Sequence, residues 1–127
     1  MAIPFKVIEK GQPGVTGGGT KKYYASSTLT GELTLEKLTK QIERVSTVNG
    51  ADIRAVLYAM VQIMQDALAD GQAVRLGDLG SLRVNISSQG EETPEDVTAN
   101  SIKGAKTIFT PGSGLKEMLV NLKFNKA

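Results

Sequence analysis

Three groups of residues have types and spacing that could do chemistry. Gly17-Gly18-Gly19, followed by Thr20, Lys21 and Lys22, sets flexible backbone amides beside a hydroxyl and two ammonium groups, the ingredients of a phosphate cradle. The GxxxxGK[ST] order that wraps a phosphate is missing and no helical pattern follows, so the stretch reads as a flexible hairpin loop. Tyr23 and Tyr24 could stack on bases, although a strand that buries one ring and exposes the other accounts for the pair. Carboxylates at Asp78, Glu91 and Glu92 could move protons, but none has a paired acid, a nucleophile or a metal set beside it; a turn and a solvated loop account for them. The chain has no histidine and no cysteine. That removes histidine-based triads, thiol chemistry, disulfides and the usual zinc sites. The expectation is a protein that is not an enzyme, with no catalytic residue, metal, cofactor or small-molecule substrate.

The elements that would position these residues must come from a modest chain. Its 127 residues fit one domain, or a small domain with an appendage, and are about enough to bury a core. Aromatic residues make up 5% and tryptophan is absent, so that core must be aliphatic. Fifteen basic residues against thirteen acidic give a net charge of +2, which by itself neither requires nor excludes a polyanionic partner. No apolar run approaches the roughly 20 residues that span a bilayer, and MAIPFKVIEKG lacks the apolar segment of a signal peptide. A soluble, cytoplasmic chain without membrane contact is expected.

The pattern centres on Ala73 to Val84, AVRLGDLGSLRV, where Val74 and Leu76 alternate before a Gly77-Asp78-Leu79-Gly80 turn and Leu82 and Val84 after it. Two helices lead into it. Thr34 can cap the first, in which Leu35, Leu38, Ile42 and Val45 form one stripe. Asn49 can cap the second, where Ile53, Val56, Leu57, Met60, Val61, Met64 and Leu68 form a broad apolar face that ends at Asp70-Gly71. A DNA-reading helix–turn–helix would expose its second helix, but this face is too wide for that and suits a buried scaffold. Its width also predicts a dimer, because one small chain cannot cover it.

Ahead of the helices, alternation in residues 3 to 8 and in 21 to 28 predicts a hairpin around the glycine-rich loop. After the turn, Arg83 to Ser88 continues as a strand and Thr107 to Thr110 returns. The polar stretch Gln89 to Lys106 between them is long for a hairpin loop. Thr93-Pro94-Glu95-Asp96 reads as the start of a short helical turn inside it. Pro111-Gly112-Ser113-Gly114 breaks the strand before a last helix carrying Leu115, Met118, Leu119 and Leu122, and the tail is loose or a short strand.

In this order, Thr34 to Leu119 resembles the HU/IHF family of bacterial histone-like proteins. The matching residues are Ala73 to Val84, similar to the family strand with its G-x-G-[ST]-[FL] turn, and Phe109 to Leu119, similar to its F-x-[PS]-G-x-x-L-[KR] close. With the hairpin ahead and Leu122-Lys123-Phe124 behind, the chain is similar to the HU-like group with an N-terminal hairpin extension typical of Bacteroides-type bacteria. The resemblance implies an α+β fold: a hairpin extension in residues 1–31, then an HU/IHF-like domain in 32–127 with an arm at about 85–106. That domain would hold a two-helix hairpin, a three-stranded antiparallel sheet with the arm, and a short C-terminal helix, as an intertwined homodimer. It further implies non-sequence-specific, architectural binding of double-stranded DNA in the nucleoid, with arm cations on phosphates and an arm-tip proline wedged in the minor groove.

Carried onto this sequence, the DNA-binding positions are Arg83, Lys103, Lys106 and Lys116, with Arg75 a looser match and Pro94 in the place of a wedge. The family's Arg-Asn-Pro tip is absent, and from Arg83 to Lys106 three cations stand against four carboxylates. Residues 1–31 instead carry Lys6, Lys10, Lys21 and Lys22 against Glu9, so Lys21 and Lys22 join the expected DNA contacts. The acidic arm also leaves open an HU-like dimer that has lost strong DNA binding and serves as a protein-interaction or structural module.

Overall fold

In the computed structural model, which describes residues 1–127, the helices start where their capping residues stand. The Thr34 hydroxyl accepts from the Lys37 amide at 3.2 Å and opens α1 (Leu35–Val45). The Asn49 side chain accepts from the Asp52 amide at 3.0 Å and opens α2 (Gly50–Ala69). Each cap satisfies a donor that the first helical turn leaves unpaired. At the far end Gly71 takes φ 85° and its amide donates to the Leu68 carbonyl, the left-handed C′ position expected there.

The strands form two sheets. β1 (Ile3–Lys10) and β2 (Lys22–Ser27) pair antiparallel, and β6 (Phe124–Lys126) adds to β1 in parallel, giving the order β2-β1-β6. The tail is thus a strand that joins the first strand of the chain. β3 (Val74–Arg75), β4 (Gly80–Ser88) and β5 (Ile102–Pro111) form the second sheet, antiparallel throughout. α3 (Ser113–Val120) follows β5 directly. This is the expected α+β arrangement.

Two strands differ from expectation. β3 stops at Arg75 because the Leu76 amide already donates to the Gly80 carbonyl at 2.8 Å, closing the turn. β5 begins at Ile102, five residues before the predicted Thr107, since the backbone ladder with β4 pairs Ile102, Gly104, Ala105 and Lys106, a stretch with no apolar alternation.

The turn between β3 and β4 is locked against α3. Gly80 has φ 144°, and a Cβ there would collide with the Thr110 carbonyl oxygen. Gly112 packs equally close, since a Cβ on it would strike the Asp78 carbonyl. The Gly112 amide donates to Leu79 O at 3.0 Å, and the Ser113 hydroxyl donates to Asp78 Oδ1 at 3.0 Å. Asp78, read from sequence as a solvated turn residue, is a fastener between turn and helix.

Expectation fails on the core. The single chain buries four residues, of which Ile53, at 5% exposure, is the one large apolar side chain. Leu57, Met64 and Leu68 of α2 are half-buried, while Val56, Met60, Val61 and Ile63 lie open, Ile63 at 68%. The chain exposes 10309 Å², against about 6,500 Å² expected of a compact monomer of its mass. The aliphatic residues are present, but an open arrangement of sheets and helices does not bring them together within one chain.

Candidate functional site

Strand register decides which of the expected contact residues share a face. Arg75 pairs with Ser81, Ser81 with Thr110, Arg83 with Ile108, and Asn85 with Lys106. Directly paired residues point to the same side of a sheet, and so do residues two apart on one strand. Arg75, Arg83 and Lys106 therefore stand on one face. Arg83 is the diagonal neighbour of both others, so the row steps by about 7–8 Å. Ser81, Asn85, Ser87 and Thr110 fill the same face, and Arg83 Nη1 donates to Thr110 Oγ1 at 3.4 Å. The opposite face carries Leu82, Val84, Ile86 and Phe109.

Two shallow hollows lie along the arm. One of about 200 Å³ is lined by Arg75, Ser81 and Thr110 at the base, and one of about 350 Å³ by Asn85, Ser87, Gly104 and Lys106 farther out. None of the arm cations is held in an ion pair; the one pair within 4 Å joins Lys40 and Glu36 on α1. Arg75, Arg83 and Lys106 are thus free to meet an anion.

Charge on the arm is segregated rather than averaged. The paired strands β4 and β5 hold Arg83, Lys103 and Lys106 and no carboxylate. Glu91, Glu92, Glu95 and Asp96 all sit in the connection between them. That connection is a folded cap built on Ser101, which is 2% exposed. The Ser101 hydroxyl donates to Glu91 Oε1 at 3.0 Å and accepts from the Thr98 amide at 3.2 Å, while Gln89 Nε2 donates to the same carboxylate oxygen at 2.8 Å. Two 3₁₀ turns, Pro94–Asp96 and Ala99–Ser101, complete it, and the first is the short helical turn read from Thr93-Pro94.

The remaining expected residues lie apart from the row. Lys103 is the extra residue of a bulge, since Ser87 pairs with Gly104 and Ser88 with Ile102. Lys116 is exposed on α3. Lys21 precedes β2 and Lys22 begins it, so both belong to the other sheet. Pro94 is exposed at the first position of its 3₁₀ turn. The grouping of Arg75 with Arg83 and Lys106 was readable from alternation once the register was known. The role of Ser101 was not, because a serine in a polar loop carries no signal of burial.

A family model described as an HU domain fused to a wHTH, Ig or glycine-rich motif, HU-HIG, matches residues 1–126. The chain belongs to this HU-HIG family. Among solved structures, the HU-HIG chain is similar to one from Bacteroides vulgatus described as a candidate bacterial DNA-binding protein, with a TM-score of 0.68 and 13% identity. The match covers 98% of this chain and 48% of that one, so the HU-HIG chain spans about half the length of that protein. It is also similar to a V42I mutant of HU from Thermotoga maritima, with a TM-score of 0.51 and 20% identity over 68% of this chain and 97% of that one. At these identities the likeness is one of fold. No curated protein matches the sequence. No helix of the HU-HIG chain is long and apolar enough to cross a membrane.

Proposed function

We propose that this chain is an architectural DNA-binding protein of the bacterial nucleoid that acts as a homodimer in the cytoplasm and grips duplex DNA without sequence preference. One observation carries the reading: the β3-β4-β5 sheet, which runs out into the HU-like arm, presents Arg75, Arg83 and Lys106 in a row with no carboxylate among them. Cations on a rigid strand pair suit phosphates spaced along a duplex, and contacts to phosphate carry no base information. Ser and Asn side chains between them add hydrogen-bond donors for the same oxygens. Lys103 and Lys116 extend the contact, Lys21 and Lys22 contribute from the other sheet, and Pro94 at the arm end is the candidate wedge against a minor-groove base step. In this reading residues 1–31 are an extension and 32–127 the HU-like domain, with its arm at about 85–106.

Surface area supports the homodimer. The chain exposes roughly 3,800 Å² more than a compact monomer of its mass would. A second copy laid on Val56, Met60, Val61 and Ile63 would take their exposed apolar surface out of water.

The test is a titration of a mixed-sequence duplex at increasing salt, with Arg75→Ala/Arg83→Ala/Lys106→Ala alongside. The expected result is salt-steep binding that the variant weakens equally on unrelated sequences, with a salt slope lower by about one per removed contact. The acidic cap favours a second reading, an HU-like dimer that has lost strong DNA binding and docks on another protein. That reading predicts no binding of the duplex even at low salt.

A further inference from the structure

The β2-β1-β6 sheet carries unequal charge on its two faces. Pairing of Phe5 with Ser27 and Lys126, Val7 with Ala25, Glu9 with Tyr23 and Ile3 with Phe124 puts Ile3, Phe5, Val7, Tyr23 and Phe124 on one side together with Glu9 and Lys126. A hollow of about 400 Å³ lined by Phe5, Ala25, Ser27 and Phe124 opens on that side. The pairs Lys6 with Ser26, Ile8 with Tyr24 and Lys10 with Lys22 put three lysines on the other. The one carboxylate in these strands, Glu9, is thus turned away from all three lysines. Lys6, Lys10 and Lys22 are all exposed on their face, beside the half-buried Ile8, Tyr24 and Ser26.

The lysine face is built for an anion. Lys10 and Lys22 are directly opposite each other, an arrangement in which like charges destabilise a sheet unless something negative lies between them. No protein carboxylate pairs with either. Lys10 Nζ rests 4.9 Å from the centre of the Tyr24 ring, which holds it over the sheet. Lys6 lies four residues along the same strand, about 13 Å away at strand rise, so the face meets a repeating polyanion at separated points.

We propose that Lys6, Lys10 and Lys22 form a second phosphate-contacting surface for duplex DNA, on the hairpin sheet and separate from the arm row. The inference rests on the reading that the chain binds duplex DNA. It assigns the sheet lysines beyond Lys22 and separates Lys22 from Lys21, which precedes the strand. Charge complementarity selects the occupant: a stiff duplex offers a long array of phosphates to both surfaces of one protein.

The experiment uses the whole chain and a fluorescent mixed-sequence duplex, titrated from low to moderate salt. Wild type is compared with Lys6→Gln/Lys10→Gln/Lys22→Gln, with Arg75→Ala/Arg83→Ala/Lys106→Ala, and with Lys126→Gln, which lies on the opposite face of the same sheet. The expected result is that the sheet variant keeps the wild-type melting temperature, loses about 2 to 3 from the salt slope, and binds roughly tenfold or more weakly near 0.1 M salt. Lys126→Gln should leave slope and affinity unchanged. Duplex binding by the sheet variant with wild-type slope overturns this proposal while leaving the arm reading intact. Absence of duplex binding by wild type at low salt overturns the DNA reading and this proposal with it. Lysine-dependent binding to phosphatidylserine vesicles without duplex binding would assign the face to a membrane surface and likewise overturn the proposal.

Discussion

Gly80→Ala tests the joint on which the arm is mounted. The alanine would have to hold φ 144°, and its methyl would collide with the Thr110 carbonyl and approach Phe109 Cζ and Cε1 at 2.8 and 2.9 Å. Holding an L-residue in that backbone region costs about 1–3 kcal/mol. Overpacking a site whose neighbours are a strand carbonyl and a ring adds about 1–3 kcal/mol. A total of about 2 kcal/mol or more corresponds to a melting temperature lowered by roughly 8 °C or more in a domain of this size. Thermal unfolding followed by circular dichroism reads it, at one fixed protein concentration because a dimer melts in a concentration-dependent way. Gly90→Ala is the internal control: a Cβ there meets nothing within 4 Å and its φ is not in the left-handed region, so its melting temperature stays near wild type. Gly80→Ala melting within about 2 °C of wild type would refute the account of how turn, arm and α3 are joined.

The other expectations address separate parts of the chain. Ile63→Asp is neutral within about 0.5 kcal/mol if the single chain is the functional unit, because Ile63 is already open to solvent. In a homodimer it splits or unfolds the protein, which sedimentation analysis distinguishes. Ser101→Ala leaves the Thr98 amide without its acceptor and should loosen the arm cap by about 1–3 kcal/mol, seen as faster hydrogen exchange at Gln89 and Thr98 with little change in global melting. Asn49→Ala removes the cap of α2 and should cost about 1 kcal/mol in denaturant unfolding. Pro94→Ala should reduce DNA bending in a circularisation assay more than it reduces affinity, if the proline wedges a base step.

Much of the fold was legible because local chemistry and long-range order agreed. Thr34 and Asn49 mark helix starts by side-chain capping, and each accepts from the backbone amide three residues on. The tyrosine pair also divides as strand geometry requires, with Tyr24 half-buried and Tyr23 72% exposed. The first half of β5 was illegible because Lys103, Gly104 and Lys106 lack alternation, and its strand state comes from β4. Counting charges over the arm concealed the feature that bears most on the proposed function, since a sum does not register that every carboxylate falls in the cap and every cation on the paired strands. Asp78 looked solvated because its partner, Ser113, is far along the sequence.

The parallel pairing of β6 with β1 has a kinetic consequence. The Ile3 amide donates to the Lys123 carbonyl at 2.8 Å, and the Ala127 amide to the Phe5 carbonyl at 2.8 Å, so the earliest and latest strands of these residues are stitched together. During synthesis the hairpin emerges with one long edge unpaired and gains its third strand only after Phe124–Lys126 has been made. Contacts of such sequence separation form slowly, and an open strand edge is the part of a nascent chain most prone to pair with a neighbour. Lysines along β1 and β2 suit that interval, because like charge keeps two unfinished sheets apart until each has gained its third strand.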